Sequence, residues 1–355
     1  MVSSIDVLSY VSLTQAINEI KSPNQFLKRT IFGNHDPRPT ETLELSVFVR
    51  GRQVAPFVRR GGQAIELAKG SERFYNVSCP NIRIKMHLDP NELVFERRPG
   101  VSILPGSSAE IVSAGEAYIA RQQQTMADAI TEAEEYLSAL ALRGAISYSV
   151  TLPGGEQPEV FTVTLPRSGS HSITLSDFWD TVNGIPSADI FTVKKLLSDD
   201  VGLGLTDAIL GSEAADAFMS NEEVRGVLDI RNVSAGSLDL TQQFSEDGVI
   251  FLGVFCGCRM WGYLRSTTLP SGSSADLIRA KYAEFLSISP AAQNVLYYGA
   301  IADLQAGPGG LFQGERFSKS WEEQDPSVRW LLSHSRPLPI PRRPDSMVSM
   351  KVVSG

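Results

Sequence analysis

The chain has 355 residues and a formal net charge of −8, with 42% hydrophobic and 20% charged residues. This composition is typical of an ordinary soluble protein and excludes a disordered or membrane-embedded chain. The acidic balance argues against a protein whose main task is to wrap nucleic acid through phosphate contacts. The length favours two domains, or one domain with large extensions.

The N-terminus lacks the basic and continuous apolar regions of a secretory signal, and no stretch approaches the roughly eighteen apolar residues of a spanning helix. We therefore expect the protein to stay in the cytoplasm that makes it, with no membrane partner. The three cysteines, Cys79, Cys256 and Cys258, are too few and too poorly spaced for a disulfide framework. Cys256 and Cys258 are predicted to be buried small hydrophobes on one strand rather than a thiolate pair.

Residues 1–45 are predicted to form a mostly polar, extended arm that needs a partner surface. Its apolar part is a short cluster bracketed by prolines: Phe26, Leu27, Ile31 and Phe32. We expect this cluster to be the part of the arm that contacts the partner surface.

Two alternating segments, 43–49 and 82–88, are predicted to be strands that flank a basic, glycine-containing stretch. Two strands around such a long segment indicate a projecting hairpin, too thin to have a core of its own. Its functional interpretation is a docking arm that pairs with acidic patches, such as those at Glu132 or Glu322, on neighbouring copies. The alternative is a flexible surface loop. The basic residues that would dock are Arg50, Arg52, Arg59, Arg60, Lys69 and Arg73.

The longest regular element is predicted at 108–143, capped at its start by a serine and ended by Gly144. Apolar residues repeat on one narrow face. Such a helix would span roughly 50 Å. We expect it to cross a whole subunit and to lie half covered on its surface.

A hairpin is predicted at 146–152 and 160–165, followed by a compact α+β section. Helices are expected near 176–183, 187–198, 205–219, 221–228 and 275–287. Strands are expected near 237–244, 249–256, 260–264 and 294–302. Two further strands, near 328–335 and 347–353, are joined by a stiff Pro337–Pro344 segment.

The sequence contains no complete motif for a catalytic, cofactor or metal site. The four histidines, His35, His87, His171 and His334, share no local window, and solvent-facing or individually satisfied side chains are the better interpretation. The segment at 202–207 lacks the third glycine of a dinucleotide loop, and the loop at 307–314 lacks the Lys and Ser/Thr of a phosphate-binding loop. The acidic groups at 132–135 and 322–325 are interpreted as solvated faces or inter-subunit partners. The sequence thus predicts no catalytic, cofactor or metal site; the alternative, a small α/β enzyme in the middle section, has no candidate acid–base pair.

The order of arm, basic hairpin, long helix, hairpin, α+β section and returning strand resembles the Hong Kong 97-type phage capsid fold. Local motifs are similar to those of the lambda-type major capsid protein, the protein E family. They are Pro23-Asn24-Gln25-Phe26-Leu27 with Ile31-Phe32, Tyr298-Gly299-Ala300-Ile301, Asp325-Pro326, and Ser335-Arg336-Pro337-Leu338-Pro339-Ile340.

The resemblance implies an α+β chain with an N-terminal arm (1–45), an extended loop (46–97), a peripheral domain with the spine helix (98–169), an axial domain (170–310) and a return to the peripheral domain (311–355). It implies a non-enzymatic major capsid protein that self-assembles as hexamers and pentamers into the icosahedral head of a tailed phage. The inner wall would lie beside packaged double-stranded DNA. Implied partners are a scaffolding protein, a portal and, in some relatives, a decoration protein, with assembly in the host cytoplasm.

Two departures from relatives shape the expectations. The arm is too short to hold a fused scaffolding domain, so a separate scaffolding protein is predicted. In some relatives, a lysine–asparagine isopeptide bond cross-links the subunits of the shell. Lys69 lies in the corresponding loop, but residues 295–355 contain no asparagine. We therefore expect no such bond. The alternative within the structural class is an encapsulin-type bacterial nanocompartment shell.

Overall fold

A computed structural model of the chain describes residues 9–20, 25–49, 71–88, 108–150, 159–226, 248–306, 308–324 and 327–355. In these ranges the helices are α1 (Tyr10–Glu19), α2 (Phe26–Thr30), α3 (Ser108–Leu142), α4 (Pro186–Asp200) and α5 (Ser212–Ser220), and a helical turn follows at 222–226. The first ten strands are β1 (Asn34–Pro37), β2 (Thr42–Val49), β3 (Ser71–Ser78), β4 (Ile82–Leu88), β5 (Ala145–Val150), β6 (Glu159–Thr164), β7 (Ser172–Thr174), β8 (Asp207–Leu210), β9 (Val249–Phe255) and β10 (Cys258–Tyr263). The others are β11 (Ser266–Thr268), β12 (Ser274–Asp276), β13 (Tyr282–Leu286), β14 (Asn294–Tyr298), β15 (Ile301–Ala302), β16 (Leu311–Phe312), β17 (Arg316–Gln324), β18 (Ser327–Ser335), β19 (Pro337–Pro341) and β20 (Met347–Lys351).

The long helix α3 forms as its periodicity predicts. Its 35 residues span roughly 50 Å, and it ends at Gly144, whose φ of 89° suits glycine. The expectation of a half-covered surface helix is wrong for the C-terminal half, where residues 137–142 are all buried. Helix α2 packs on this half, and β5 and β19 also contact the helix.

The described part of the N-terminal arm, 9–20 and 25–45, is folded rather than extended. Ser9 caps α1 by accepting a hydrogen bond from the Ser12 N–H at 3.2 Å. Helix α1 lies against β17, where Thr14 Oγ1 accepts from the Ser318 N–H and donates to the Ser318 carbonyl, both at 3.0 Å. One threonine side chain thus satisfies both backbone groups of an edge residue, which explains why this part of the arm adopts a fixed position on its own subunit.

The largest sheet has six strands in the order β7-β20-β13-β8-β10-β9. The pairs β8–β10 and β7–β20 are parallel and the others antiparallel. Apolar residues of α4 and α5 pack with those of the sheet in one core, including Ile190, Val193, Phe218, Phe285 and Met350. The terminal strand β20 pairs with β13 in this sheet, so it joins the strands predicted as axial rather than the peripheral part to which 311–355 was assigned.

Several smaller sheets are present, and α3 contacts strands β4, β5, β18 and β19. Two of these sheets have three strands, in the orders β1-β14-β19 and β17-β18-β4, and β2–β3 and β5–β6 form separate antiparallel hairpins. The predicted hairpin is corrected in one respect: β2 pairs with β3, whereas β4 pairs with β18, as with Ile84 opposite Ser333. The strand 82–88 is therefore part of a packed sheet and not of the projecting hairpin.

The proline-rich segment near the C-terminus, which was predicted only to be stiff, is the strand β19. The Gly299 N–H donates to the Arg336 carbonyl and the Arg342 N–H donates to the Gln293 carbonyl. Because backbone direction alternates along a strand, the even-numbered residues of β19 face β14, and the prolines face the outer edge. Proline is tolerated at such positions because no ladder donor is lost.

Two predicted helices are absent. Residues 176–183 form turns, and most of 275–287 belongs to β12, β13 and the link between them. The predicted 205–219 helix divides into β8 and α5. The predicted strand at 237–244 lies outside the described residues.

Candidate functional site

Two adjacent glutamates of α3, Glu134 and Glu135, form the most unusual polar site in the described chain, and both are 0% exposed. Glu134 accepts hydrogen bonds from Lys28 Nζ at 2.9 Å, from Arg316 Nη2 at 3.0 Å and from the Tyr298 hydroxyl at 3.2 Å. Both cations are themselves nearly fully buried. One carboxylate therefore joins α2, β14 and β17.

Glu135 holds the N-terminus of α2. Its carboxylate accepts from the backbone N–H groups of Leu27 at 2.7 Å and Lys28 at 3.0 Å, and from the Tyr263 hydroxyl at 3.0 Å. A carboxylate at this position satisfies helix N–H groups that have no intrahelical partner. Burial raises the pKa of Glu135 to about 6, against the lowering effect of these hydrogen bonds. The expectation that these glutamates are solvated or face another subunit is wrong, because the arm covers them.

The apolar cluster of the arm lies beside this site. Leu27 and Phe32 are 0% exposed in the core that also contains Leu137 and Leu140. Phe26 is partly buried against Trp261, with ring centroids 5.2 Å apart. The interface role predicted for these three residues stays a prediction, and for Leu27 and Phe32 it would require the arm to leave its own subunit.

The predicted docking residues Arg50, Arg52, Arg59, Arg60 and Lys69 lie outside the described residues. Arg73 is on β3, opposite Val47 of β2. Their role also stays a prediction.

The acidic groups proposed as docking partners differ from each other. Glu132 forms an ion pair with Arg265 of its own chain and is partly buried. Glu322 is largely exposed and pairs with Arg329 at 2.9 Å. Only the second has a carboxylate that is broadly accessible to a neighbouring copy.

The hairpin β5–β6 carries exposed apolar side chains. Val160 is 64% and Phe161 43% exposed, and the Phe161 ring stacks on Tyr148 with centroids 5.9 Å apart. The alternation in the sequence predicts the hairpin but not its exposure, because alternation alone does not show which elements cover a strand.

Two further exposed apolar residues, Val182 and Ile185, line a cleft at the start of α4, and Phe191 of α4 is also exposed. The turn that lines this cleft is fixed by Asn221 Nδ2, which donates to the carbonyls of Trp179 at 3.2 Å and Gly184 at 3.0 Å. These are packing contacts that shape a loop.

The described residues form no arrangement that indicates a catalytic or metal site. His35 pairs with Glu315 and His171 with Asp200, each at 2.8 Å, and His334 with Asn81. No three metal-ligating side chains come together in the described part of the chain. Of the helices that the structure describes, none combines the length and apolar character needed to span a bilayer.

The prediction that Cys256 and Cys258 are both buried is wrong for Cys256. Cys256 is exposed in the tight β9–β10 turn, at a φ of 48°, and only Cys258 of this pair is buried. Burial raises the pKa of the Cys79 thiol to about 11 and that of Cys258 to about 12. Such thiols are inert structural side chains.

One family of known proteins matches nearly the whole chain. The family described as phage major capsid protein E matches residues 9–352. No curated protein matches the chain at a significant level.

Among solved structures, a protein described as a prophage capsid protein of Escherichia coli CFT073 superposes with a TM-score of 0.68 at 18% identity, covering 98% of this chain and 99% of that one. A phage-related protein of Bordetella bronchiseptica RB50 gives a TM-score of 0.51 at 11% identity, covering 98% of both chains. An encapsulin of Synechococcus elongatus PCC 7942 gives 0.48 at 10% identity, covering 97% of this chain and 95% of that one, which is too distant to carry an argument.

The first of these structures shows that the fold is shared with a protein that is described as a capsid protein. The family match spans the arm, the buried glutamates of α3, both hairpins and the six-stranded sheet. This chain therefore belongs to the phage major capsid protein E family, and it is a phage major capsid protein and thus part of the virion.

Proposed function

We propose that the chain is a Hong Kong 97-type capsid subunit. The order of a docked arm, a hairpin, a 35-residue helix and a six-stranded α/β unit supports this assignment. In it, 1–45 is the arm, 46–97 the extended loop, 98–169 the peripheral domain, 170–310 the axial domain and 311–355 the return, with β20 assigned to the axial sheet because it pairs with β13.

The subunits assemble as hexamers and pentamers into an icosahedral head that encloses the double-stranded DNA of a tailed phage. Heterologous contacts that close into rings produce capsomers of this kind. The net charge of −8 suits a wall that lies beside packaged DNA without binding it tightly.

Assembly takes place in the host cytoplasm with a separate scaffolding protein and a portal; a decoration protein on the outer face is a partner in some relatives only. The subunit has no catalytic role, in agreement with a family of structural proteins. An encapsulin-type shell is the weaker alternative, because the family match over 9–352 is to phage capsid proteins.

The family match is the observation that carries this proposal. Electron microscopy of particles from cells that express the chain with the phage's scaffolding protein tests it. Closed icosahedral shells with both pentameric and hexameric capsomers are expected. Open sheets, tubes or small soluble oligomers under these conditions would contradict it.

A further inference from the structure

Strand β6 has one open edge in the described part of the chain. It pairs only with β5 there, in a constant register from Ala145 opposite Thr164 to Val150 opposite Glu159. All but one of its residues are exposed. In the described part of the chain, β6 is thus open along the edge that faces away from β5.

The direction of the backbone groups on this edge follows from the ladder. The Leu165 N–H donates to the Gly144 carbonyl at 3.0 Å, which makes this pair a hydrogen-bonded one. Because such pairs alternate, the N–H and C=O groups of Val160, Thr162 and Thr164 point away from β5. The hydroxyls of Ser147 and Thr162 lie 3.0 Å apart, in agreement with a non-hydrogen-bonded pair, in which side chains are closest.

The composition of β6 favours pairing of this open edge with another strand. Its sequence, EVFTVT, is rich in β-branched and aromatic residues, contains no glycine or proline, and has one charge. Exposed edge strands of this kind pair with other strands, and proteins normally block them with lysine, proline or a bulge. In this chain β19 is blocked by its prolines, and the start of β17 is covered by α1, whereas β6 has neither device.

The edge fits a second copy of itself. In an antiparallel pair centred on Thr162, the three outward residues of each copy meet: Thr162 faces Thr162 of the other copy, and Val160 faces Thr164. Phe161 then lies opposite Val163, an aromatic and β-branched pair of the kind that stabilises sheets. Glu159 faces the apolar Leu165, so the single charge of the strand is not placed opposite its copy.

We propose that β6 pairs antiparallel with β6 of a neighbouring subunit across a local two-fold axis, centred on Thr162, to form a continuous four-stranded sheet. The inference rests on the proposed function, because an icosahedral shell supplies such axes between subunits. It adds a specific backbone contact and its register.

Cysteine cross-linking in assembled shells tests the register. The background variant is Cys256→Ser, since this is the exposed cysteine of the described chain. In it, Thr162→Cys should give a disulfide-linked dimer under mild oxidation, because directly opposite residues lie about 5.5 Å apart at Cα, within disulfide range. Thr164→Cys is the matched control and should stay monomeric, whereas Val160→Cys with Thr164→Cys should cross-link again.

Thr162→Pro gives an independent measurement. Proline removes an N–H that the subunit's own ladder does not use, so the isolated subunit should keep its melting temperature. The yield of closed shells should fall about tenfold or more, since the symmetric contact loses two hydrogen bonds.

Shells that form normally from Thr162→Cys subunits without dimers, or dimers of equal yield from Thr164→Cys alone, would overturn the pairing and leave the capsid function intact. Failure of the unsubstituted chain to form shells with its scaffolding protein would overturn the proposed function, and with it this contact.

Discussion

Replacing Glu134 by glutamine should strongly destabilise the subunit. The change keeps the shape of the side chain but removes the negative charge that Lys28 and Arg316 share. The new amide also directs N–H groups toward donors. Arg316 keeps one other hydrogen bond, to Thr131 Oγ1 at 2.8 Å, but the two cations then lie close together without a counter-charge.

The expected loss follows from burial. Removing one partner of a buried ion pair costs about 3–5 kcal/mol, because the remaining charge is left without water or an anion. For a protein whose folding free energy is about 5–15 kcal/mol this is a large fraction. At a urea slope of about 3 kcal/mol per M, the unfolding midpoint should fall by roughly 1–1.7 M.

Urea unfolding of the unassembled subunit, followed by tryptophan fluorescence, measures this loss. Glu322→Gln is the matched control: it removes the same charge from an exposed pair with Arg329, and such pairs contribute about 0–1 kcal/mol. Adding Lys28→Met to Glu134→Gln should recover part of the loss, since one of the two unpaired cations disappears. Equal midpoints for Glu134→Gln and Glu322→Gln would refute the reasoning.

Three further predictions concern pH, docking and covalent chemistry. Because burial raises the pKa of Glu135 from 4.5 to about 6, the stability it contributes is full below pH 4.5 and is lost as pH rises through 6. Relative to Glu135→Gln, the free energy of unfolding should thus fall by about 2 kcal/mol between pH 4.5 and 7.5; this comparison cancels the opposite effect of His334, whose pKa burial lowers to about 4. Parallel pH profiles for the two proteins would contradict this assignment. Charge reversal of Arg59 and Arg60 should leave a folded subunit that fails to form stable particles, as sedimentation would show, and normal shells would exclude docking by these residues. Mature particles should run as single subunits on denaturing gels, whereas ladders would show that Lys69 or another group forms cross-links.

Local patterns predicted the elements whose apolar residues repeat at helical or strand spacing in the sequence. Helix α3 and strands β2, β5, β6 and β9 lie close to the predicted positions, since 3.6-residue and two-residue repeats do not depend on distant contacts. The phage capsid assignment also followed from their order and is confirmed by the family match.

The segment 275–287 shows where such patterns fail. Leu277, Ile278, Tyr282 and Phe285 repeat at helical spacings, but strand β13 lies in the interior of the six-stranded sheet, between β8 and β20. Residues 283–286 are buried on both faces of the sheet, so no alternation marks them as a strand. Tertiary pairing overrides the local preference here.

The buried glutamates were missed for a related reason. A helix with charged residues at 132, 134 and 135 looks solvated when only its own sequence is considered. The donors that compensate these charges come from positions 27, 28, 263, 298 and 316, all distant in the chain. The one local signal was the combination of these acids with the apolar run that follows, which indicates a helix end that enters the core.

Several donors to Glu134 and Glu135 lie on the arm itself. We therefore expect α2 either to stay packed on α3 or to leave it completely. Buried ion pairs add little net stability compared with apolar packing, but a structure that separates the partners pays a large desolvation penalty. If α2 leaves α3, Glu135 loses two backbone N–H donors, and Glu134 loses Lys28. A partly lifted arm would keep these carboxylates buried with only Tyr263, Tyr298 and Arg316 as donors, which is less favourable than either the seated arm or full exposure to water. An arm that moves during assembly must therefore be replaced on α3 by an element with equivalent donors, or α3 must open to solvent at Glu134 and Glu135.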